Sequence, residues 1–227
     1  MIFDYIIMCG GEGIRLKPFT YIIPKPFLTM NNISSFDYIL KNINLNKTNQ
    51  IIVTLKYKYN FSKKIVINKK IKKIKIFHEK DTSGTAGCIG EIIKKKITNN
   101  FFVINGDIFA KLNYSEMMEY HAKGKYDITV GVTNFQIKLP YAVLKKKKNN
   151  NTFIEKPEFK KKINTGIYAI SKKYALKYFK RYNKEKINMT DLLDKSDKIG
   201  IYDIGNKWVD IGHIEDFKKA NVRIKKW

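Results

Sequence analysis

Where the first apolar run of the chain ends, glycines fall at positions 10, 11 and 13, in Cys9-Gly10-Gly11-Glu12-Gly13. Ile14-Arg15-Leu16-Lys17-Pro18-Phe19-Thr20 follows, and then Pro24-Lys25-Pro26. A loop without Cβ atoms can bring its N–H groups up against an anion. Arg15 and Lys25 add two fixed positive charges beside that loop. Together they are placed to hold a polyphosphate and to neutralise charge at a reacting phosphorus. The spacing is neither GxxxxGK[ST] nor GxGxxG, so the P-loop and the dinucleotide fingerprint are both excluded. An ordinary glycine turn after a strand would not need the offsets to Arg15, Pro18, Thr20, Pro24 and Lys25.

A second candidate is Asp107. Phe101-Phe102-Val103-Ile104 is apolar enough to lie in a sheet centre, buried on both faces, and Asn105-Gly106 turns the chain at its carboxyl end. A carboxylate there is placed to hold Mg2+, which prefers one or two carboxylates plus phosphate and water oxygens. No cation neighbours Asp107 in sequence, so a metal is the expected partner. Read alone, an aspartate that shapes a turn after glycine explains the position equally well. His78, His121 and His213 are scattered, with no triad or metal spacing, and are expected to be structural or solvent-facing. Cys9 is expected to pack.

The elements that must position these groups alternate between strand and helix. Strands are expected at Tyr5–Met8, Ile51–Leu55, Ile74–Phe77, Phe101–Ile104, Ile128–Val132, Ile163–Ile170 and Ile199–Ile204. Helices are expected at Ile33–Leu45, with Ser34 or Ser35 as N-cap, and at Gly87–Lys96, Tyr114–Ala122, Lys172–Tyr182 and Ile214–Lys225. Tyr141–Leu144 and Thr152–Ile154 flank an exposed hairpin turn, Lys145–Asn151. The pattern implies an α/β fold, a three-layer α/β/α Rossmann-like domain whose central sheet is mixed and mainly parallel. Ligands of such sheets sit beyond the carboxyl ends of the strands, where the glycine segment and Asp107 both fall.

Composition narrows the classes. A chain of 227 residues with 44% hydrophobic and 13% aromatic content can bury a core without disulfides. No apolar run approaches the ~20 residues of a membrane span. Met1–Gly11 lacks a basic n-region and does not read as a signal peptide. Cys9 and Cys88 have no metal-type spacing, which fits a reducing cytoplasm. The net charge is +25, yet of the 45 basic residues only Arg15, Arg181 and Arg223 are arginines. Nucleic-acid readers lean on arginine forks. The charge is therefore expected to be a solvated lysine surface that favours phosphorylated small substrates, not a nucleic-acid groove. The tract Lys69–Lys75 is expected to be an edge segment kept soluble by charge.

The N-terminal segment resembles the GGxGTRLxPxTxxxPK signature of the sugar-1-phosphate nucleotidylyltransferases, with Ile14 in place of threonine. Ser83-Gly84-Thr85-Ala86-Gly87 is similar to the family's LGTAG, and Phe102–Asp107 to its strand ending in NGD. Glu155-Lys156-Pro157 resembles EKP and Asn164-Thr165-Gly166-Ile167-Tyr168 resembles NxGIY. Trp208-Val209-Asp210-Ile211-Gly212 with Glu215-Asp216-Phe217 resembles WxDIGxxEDY. These motifs follow one another in family order along the whole chain. Ala142 departs from the Tyr-Gly-Val of many relatives, where the glycine lies near the sugar.

The resemblance implies a single nucleotidyltransferase domain over residues 1–227. Arg15 and Lys25 would be catalytic. Gly10, Gly11, Gly13, Gly84 and Thr85 would bind the nucleotide. Asn105, Gly87, Glu155, Lys156, Asn164 and Gly166 would bind the sugar phosphate, and Asp107 with Asp210 would hold Mg2+. The expected reaction is in-line transfer of a nucleoside monophosphate from an NTP, with GTP favoured, to a sugar 1-phosphate. The look is closest to short guanylyltransferases for mannose, heptose or glucosamine 1-phosphates. Alternatives are a thymidylyl- or cytidylyltransferase of the same fold, an inactive regulatory subunit and, less well supported, a basic nucleic-acid binder. The expected setting is cytoplasmic, without membrane or nucleic-acid partners, in a monomer or homo-oligomer.

Overall fold

The computed structural model describes residues 1–79, 84–147, 150–182, 186–224 and 227. β1 (Phe3–Met8) runs directly into the glycine segment. The short strands β2 (Thr29–Met30) and β3 (Ile33–Ser34) pair and lead into α1 (Ser35–Asn42). Ser34 accepts the Asp37 N–H at 3.0 Å, so the helix starts after Ser34 and not at Ile33, and it stops short of Leu45. β4 (Thr48–Leu55) is followed by α2 (Tyr59–Asn68), a helix the sequence pattern does not announce, and by β5 (Ile74–His78). α3 (Gly87–Ile92) is shorter than Gly87–Lys96. Lys95 N–H turns back to the Ile92 carbonyl at 3.0 Å, and Ile93 and Ile97 are drawn into the core. Then come β6 (Asn100–Asn105), β7 (Ile108–Ala110), α4 (Tyr114–Gly124), β8 (Ile128–Lys138), β9 (Val143–Lys147) and β10 (Asn150–Ile154). β11 (Glu158–Ser171), α5 (Lys172–Arg181), α6 (Met189–Asp194), β12 (Ile199–Asp203), β13 (Trp208–Asp210) and α7 (Ile214–Ile224) follow. Lys225, the expected end of the last helix, lies outside the described residues.

Seven strands form one sheet in the order β12-β8-β11-β6-β1-β4-β5. All neighbours are parallel except where β11 runs antiparallel between β6 and β8. One core cluster joins Tyr5, Ile7 and Phe102 to α1, α2 and α4. Another joins Ile6, Phe101 and Val103 to α3, α5 and α6. Helices therefore cover both faces, and Phe101–Ile104 is fully buried at the centre, as its apolar run requires. β5 is the sheet edge, so the end of the lysine tract does lie on an edge strand.

β8 and β11 outrun the sheet. Their ladder continues from Asn164↔Val132 to Glu158↔Lys138 with mostly exposed side chains, an extension well beyond the strands expected from sequence. β9 and β10 add a hairpin whose pairing reaches Lys147↔Asn150, so it is more strand and less turn than expected. Its tip, 148–149, lies outside the described residues. Between Asn164 and Tyr168 the β11 register shifts against Val132 and Val130. Thr165 anchors this bulge, donating from Oγ1 to the Gly131 carbonyl at 2.7 Å and accepting Trp208 Nε1–H on its own carbonyl at 2.9 Å.

Candidate active site

The glycine segment is held by its own downstream residues. Gly13 has φ +66 and leads into a 3-10 turn at Ile14–Leu16. A Cβ there would stand 2.9 Å from Thr20 Cγ2. Buried Thr20 in turn donates to the Gly13 carbonyl at 3.0 Å. The offset from Gly13 to Thr20 is therefore a packing requirement. Arg15 is exposed, with Nη1 3.1 Å from His213 Nε2. A guanidinium has no acceptor, so His213 accepts this bond. His121 is buried and hydrogen-bonded to Thr129 Oγ1 at 2.9 Å, and burial pushes its imidazole down to about 4. Cys9 is fully buried, which pushes its thiol well up and keeps it protonated.

Lys25 opens another 3-10 turn, Lys25–Phe27, with Pro26 as its second residue. Lys25 is only 8% exposed. Its Nζ donates to Asp107 Oδ2 at 2.6 Å and lies 3.6 Å from Asp210 Oδ1. Asp107 thus has a cationic partner, which corrects the expectation drawn from its sequence neighbours: the fold brings Lys25 from 82 positions away. The carboxylates meet because β7 and β13 pair with Asp210 opposite Ile108, and Ile211 N–H bonds the Asp107 carbonyl at 3.2 Å. Burial pushes the Asp210 carboxyl up, and the Asp107 charge adds to that, while Lys25 and Arg15 pull it down.

These groups suit Mg2+. Asp210 Oδ1 is buried without a hydrogen-bond partner among the described residues, and Asp107 presents a second hard oxygen donor beside it. Among the described residues no three side chains of metal-ligating type converge. A pair of carboxylates is the donor set Mg2+ uses when phosphates and water fill the remaining positions.

Gly10, Gly11, Gly13, Arg15, Lys25 and Asp107 line one cavity of about 840 Å3. Asn105, Gly84 and Thr85 line it as well. Gly84 has φ +80, and a Cβ there would lie 2.4 Å from the Ile187 carbonyl oxygen. The Gly84–Ala86 segment is pinned to the start of α6: Ala86 N–H bonds the Ile187 carbonyl at 2.8 Å, and Met189 N–H bonds Thr85 Oγ1 at 3.1 Å. Gly87 begins α3. Ser83 lies outside the described residues. Gly166, φ +77, sits against Asn105, whose Nδ2 would be 2.5 Å from a Cβ. Asn164 Oδ1 accepts the Gly166 N–H at 2.9 Å. Glu155 and Lys156 are exposed and 4.0 Å apart just past β10, and neither is among the residues that line this cavity. Ala142 is also exposed. Asp210 lines a separate cavity of about 1240 Å3 that Lys160 and Arg223 also border. Lys56, Glu79, Cys88 and Asn188 line the first cavity too, and motif spacing did not single them out as site residues. Lys56 and Glu79 directly follow β4 and β5, and that placement was the available signal.

A glycine loop, two cations and a carboxylate pair at the carboxyl ends of a mainly parallel sheet define the class, a Rossmann-like α/β protein with a phosphate-type site. Residues 4–226 match the family model described as nucleotidyl transferase, and the chain belongs to that family. It is 25% identical over 223 residues to the mannose-1-phosphate guanylyltransferase catalytic subunit beta of Xenopus tropicalis, an alignment covering 93% of this chain and 62% of that protein. It is 30% identical over 226 residues to the bifunctional protein GlmU of Methanocaldococcus jannaschii, covering 96% and 53%. The chain thus spans 53–62% of the length of these two curated relatives. Among solved structures, HddC from Yersinia pseudotuberculosis shares the fold with a TM-score of 0.73 at 24% identity, covering 98% of this chain and all of that one.

Proposed function

We propose that this chain transfers a nucleoside monophosphate from an NTP, GTP in the first place, to a sugar 1-phosphate and releases pyrophosphate. The observation that carries the reading is a single cavity joining the glycine loop, Arg15, Lys25 and Asp107. The sugar phosphate oxygen attacks the α-phosphorus in line, the bond to the β-phosphate oxygen breaks, and no covalent enzyme intermediate forms. Such chemistry rests on positioning and charge stabilisation. The Gly10–Gly13 backbone and Gly84–Thr85 cradle the nucleotide. Arg15 steadies the leaving pyrophosphate, and Lys25 moves from Asp107 to the α-phosphate. Asn105, Gly87, Glu155, Lys156, Asn164 and Gly166 serve the sugar phosphate, with Lys156 on the incoming phosphate. Asp107 and Asp210 would hold Mg2+, which supplies electrophilic charge at the transferred phosphate.

The reading takes residues 1–227 as one nucleotidyltransferase domain, alone or as a homo-oligomer, serving surface-glycan precursor synthesis in the cytoplasm. Among the described residues no helix is long and apolar enough to cross a membrane. Guanylyl transfer is favoured over thymidylyl or cytidylyl transfer because relatives covering most of the chain are named mannose-1-phosphate guanylyltransferases. An inactive regulatory subunit is disfavoured by the presence of Arg15, Lys25, Asp107, Lys156 and Asp210 together. The test is a screen for pyrophosphate release over NTPs against sugar 1-phosphates with Mg2+. Release is expected only when both substrates are present. No release from any pair would leave the inactive-subunit reading in its place.

A further inference from the structure

We propose that His213 is the positioning residue for Arg15: its neutral imidazole holds the guanidinium in the cavity and leaves the full positive charge to a departing pyrophosphate. The inference rests on the nucleotidyl-transfer reading of that cavity. Arg15 needs such a holder. It is exposed on a three-residue 3-10 turn, and a long side chain must give up its rotamers before it can meet an anion. Among the described residues its guanidinium makes one hydrogen bond, from Nη1 to His213 Nε2 at 3.1 Å, and no carboxylate comes within 4.0 Å of it. The partners lie 198 positions apart, so nothing in sequence spacing links them.

A shared core sets the two ends of this contact in register. Leu16, next to Arg15, is buried in one cluster with Val209, Ile211 and Ala220, which bracket His213 in the chain. Ile211 N–H bonds the Asp107 carbonyl at 3.2 Å, and His213 N–H bonds Asp216 Oδ2 at 3.0 Å where α7 begins. The backbone at His213 is therefore fixed independently of its ring. The other two histidines are engaged elsewhere: His78 stacks on Tyr59, and His121 is buried against Thr129.

Two carboxylates stand ready to take the guanidinium instead. A Cβ on Gly212 would lie 3.4 Å from Asp210 Oδ2, 3.4 Å from Asp216 Oδ2 and 3.9 Å from Arg15 Nη1, so all three groups surround one point. An ion pair with either carboxylate would neutralise Arg15 and turn it from a phosphate. An imidazole is a different kind of partner. It accepts through one nitrogen and carries no charge when it does. The bond uses a single guanidinium N–H, and the rest stay free for the forked contacts that arginine makes to phosphate. His213 thus preorganises the cation without spending its charge, the condition under which a fixed charge helps most as a leaving group departs.

Steady-state pyrophosphate release and calorimetric binding of pyrophosphate with Mg2+ are measured on the wild type, His213→Ala, His213→Asn, His213→Gln, Arg15→Ala and the double variant Arg15→Ala/His213→Ala. His213→Ala is expected to weaken pyrophosphate about 5–20-fold and to lower kcat by a similar factor, with the KM for the sugar 1-phosphate unchanged. In the Arg15→Ala background the same substitution should change either quantity by less than about twofold, because nothing is left to position. His213→Gln should recover most of the loss, since its amide oxygen reaches as far as Nε2, whereas the shorter His213→Asn should not. Melting points of the His213 variants should stay within about 2 °C of the wild type, as the side chain is exposed and the backbone bond to Asp216 survives each substitution. Equal losses with and without Arg15 would overturn the positioning role, as would His213→Gln no better than His213→Ala, or His213→Ala binding pyrophosphate like the wild type. Coupled losses in pyrophosphate binding, with no release from any NTP and sugar 1-phosphate, would sink the transfer reading and leave the His213–Arg15 link standing. Release with uncoupled losses would do the reverse.

Discussion

Removing Lys25 and neutralising Asp107 should have opposite balances of stability and activity. In the protein Lys25 Nζ stands 2.6 Å from Asp107 and 3.6 Å from Asp210. At an effective dielectric near 20, the gross attractions are about 6 and about 5 kcal/mol. Lys25→Met deletes both and leaves two carboxylates facing each other. Asp107 and Asp210 keep 28% and 40% of their side chains exposed, so solvent screens much of this. A net loss of about 2–4 kcal/mol follows, or a melting point lower by about 5–15 °C for a chain of this size. Asp107→Asn instead removes one of two like charges, keeps an accepting oxygen, and leaves Lys25 paired with Asp210. Its cost should be under about 1 kcal/mol. Turnover reverses the ranking. Asp107→Asn should abolish pyrophosphate release because an amide cannot replace the charge a metal needs, whereas losing Lys25 should cost about 10²–10³ in rate. Thermal melts with and without Mg2+, paired with steady-state release assays, check this. Mg2+ should raise the melting point of Lys25→Met more than that of the wild type, since no amine competes for Asp107. Equal destabilisation by the two substitutions, or near wild-type turnover by Asp107→Asn, would refute the reasoning.

Gly13→Ala should destabilise the fold by more than about 1 kcal/mol, because φ is +66 and its Cβ would press on Thr20, whereas Gly11→Ala, with nothing among the described residues within 4 Å, should stay within about 0.5 kcal/mol. Melting of the two variants distinguishes them. Burial holds His121 neutral, its imidazole at about 4 against an ordinary 6.5, so the unfolded chain takes up the proton first. Up to about 3 kcal/mol of stability should be lost as pH falls from about 6.5 toward 4, and His121→Gln should flatten that limb in denaturant titrations at each pH. Duplex and single-stranded nucleic acids should bind weakly and lose affinity steeply with salt. Sequence-selective binding at nanomolar concentration in physiological salt, measured by anisotropy, would contradict the lysine-surface reading.

What could be read from the chain depended on whether a feature's causes are neighbours in sequence. β1, β4 and β6 announce themselves because strands covered on both faces need unbroken apolar runs. α2 buries only Ser62 and Val66, and it starts at Lys58 in a left-handed conformation without a capping side chain. It therefore offers neither a strong apolar stripe nor a start signal. The sheet halves of β8 and β11 are legible for the same reason as β1. Their outer halves continue the ladder into solvent, where no burial imposes alternation on Asn134–Lys138 or Glu158–Lys162. The glycine loop is legible because Gly13, Thr20 and Lys25 lie close in sequence and pack on one another.

The rest of the site is written in sheet order and not in chain order. Lys25 reaches Asp107 across 82 positions, and Asp210 arrives only because β13 pairs with β7. Glu79 faces the cavity only because β5 lies two strands from β1. These long-range meetings also solve a physical problem that short motifs leave open. Two carboxylates close enough to share one metal repel each other when the metal is absent, and the Asp210 carboxyl is pushed up for that reason as well as by burial. Lys25 holds them together in the metal-free fold at the cost of occupying Asp107. On the proposed reading, arrival of a metal–nucleotide complex would supply both a better cation for the carboxylates and an anion for the displaced amine. That exchange would conserve the local charge balance, so the site would be preorganised before substrate binds without storing an uncompensated charge.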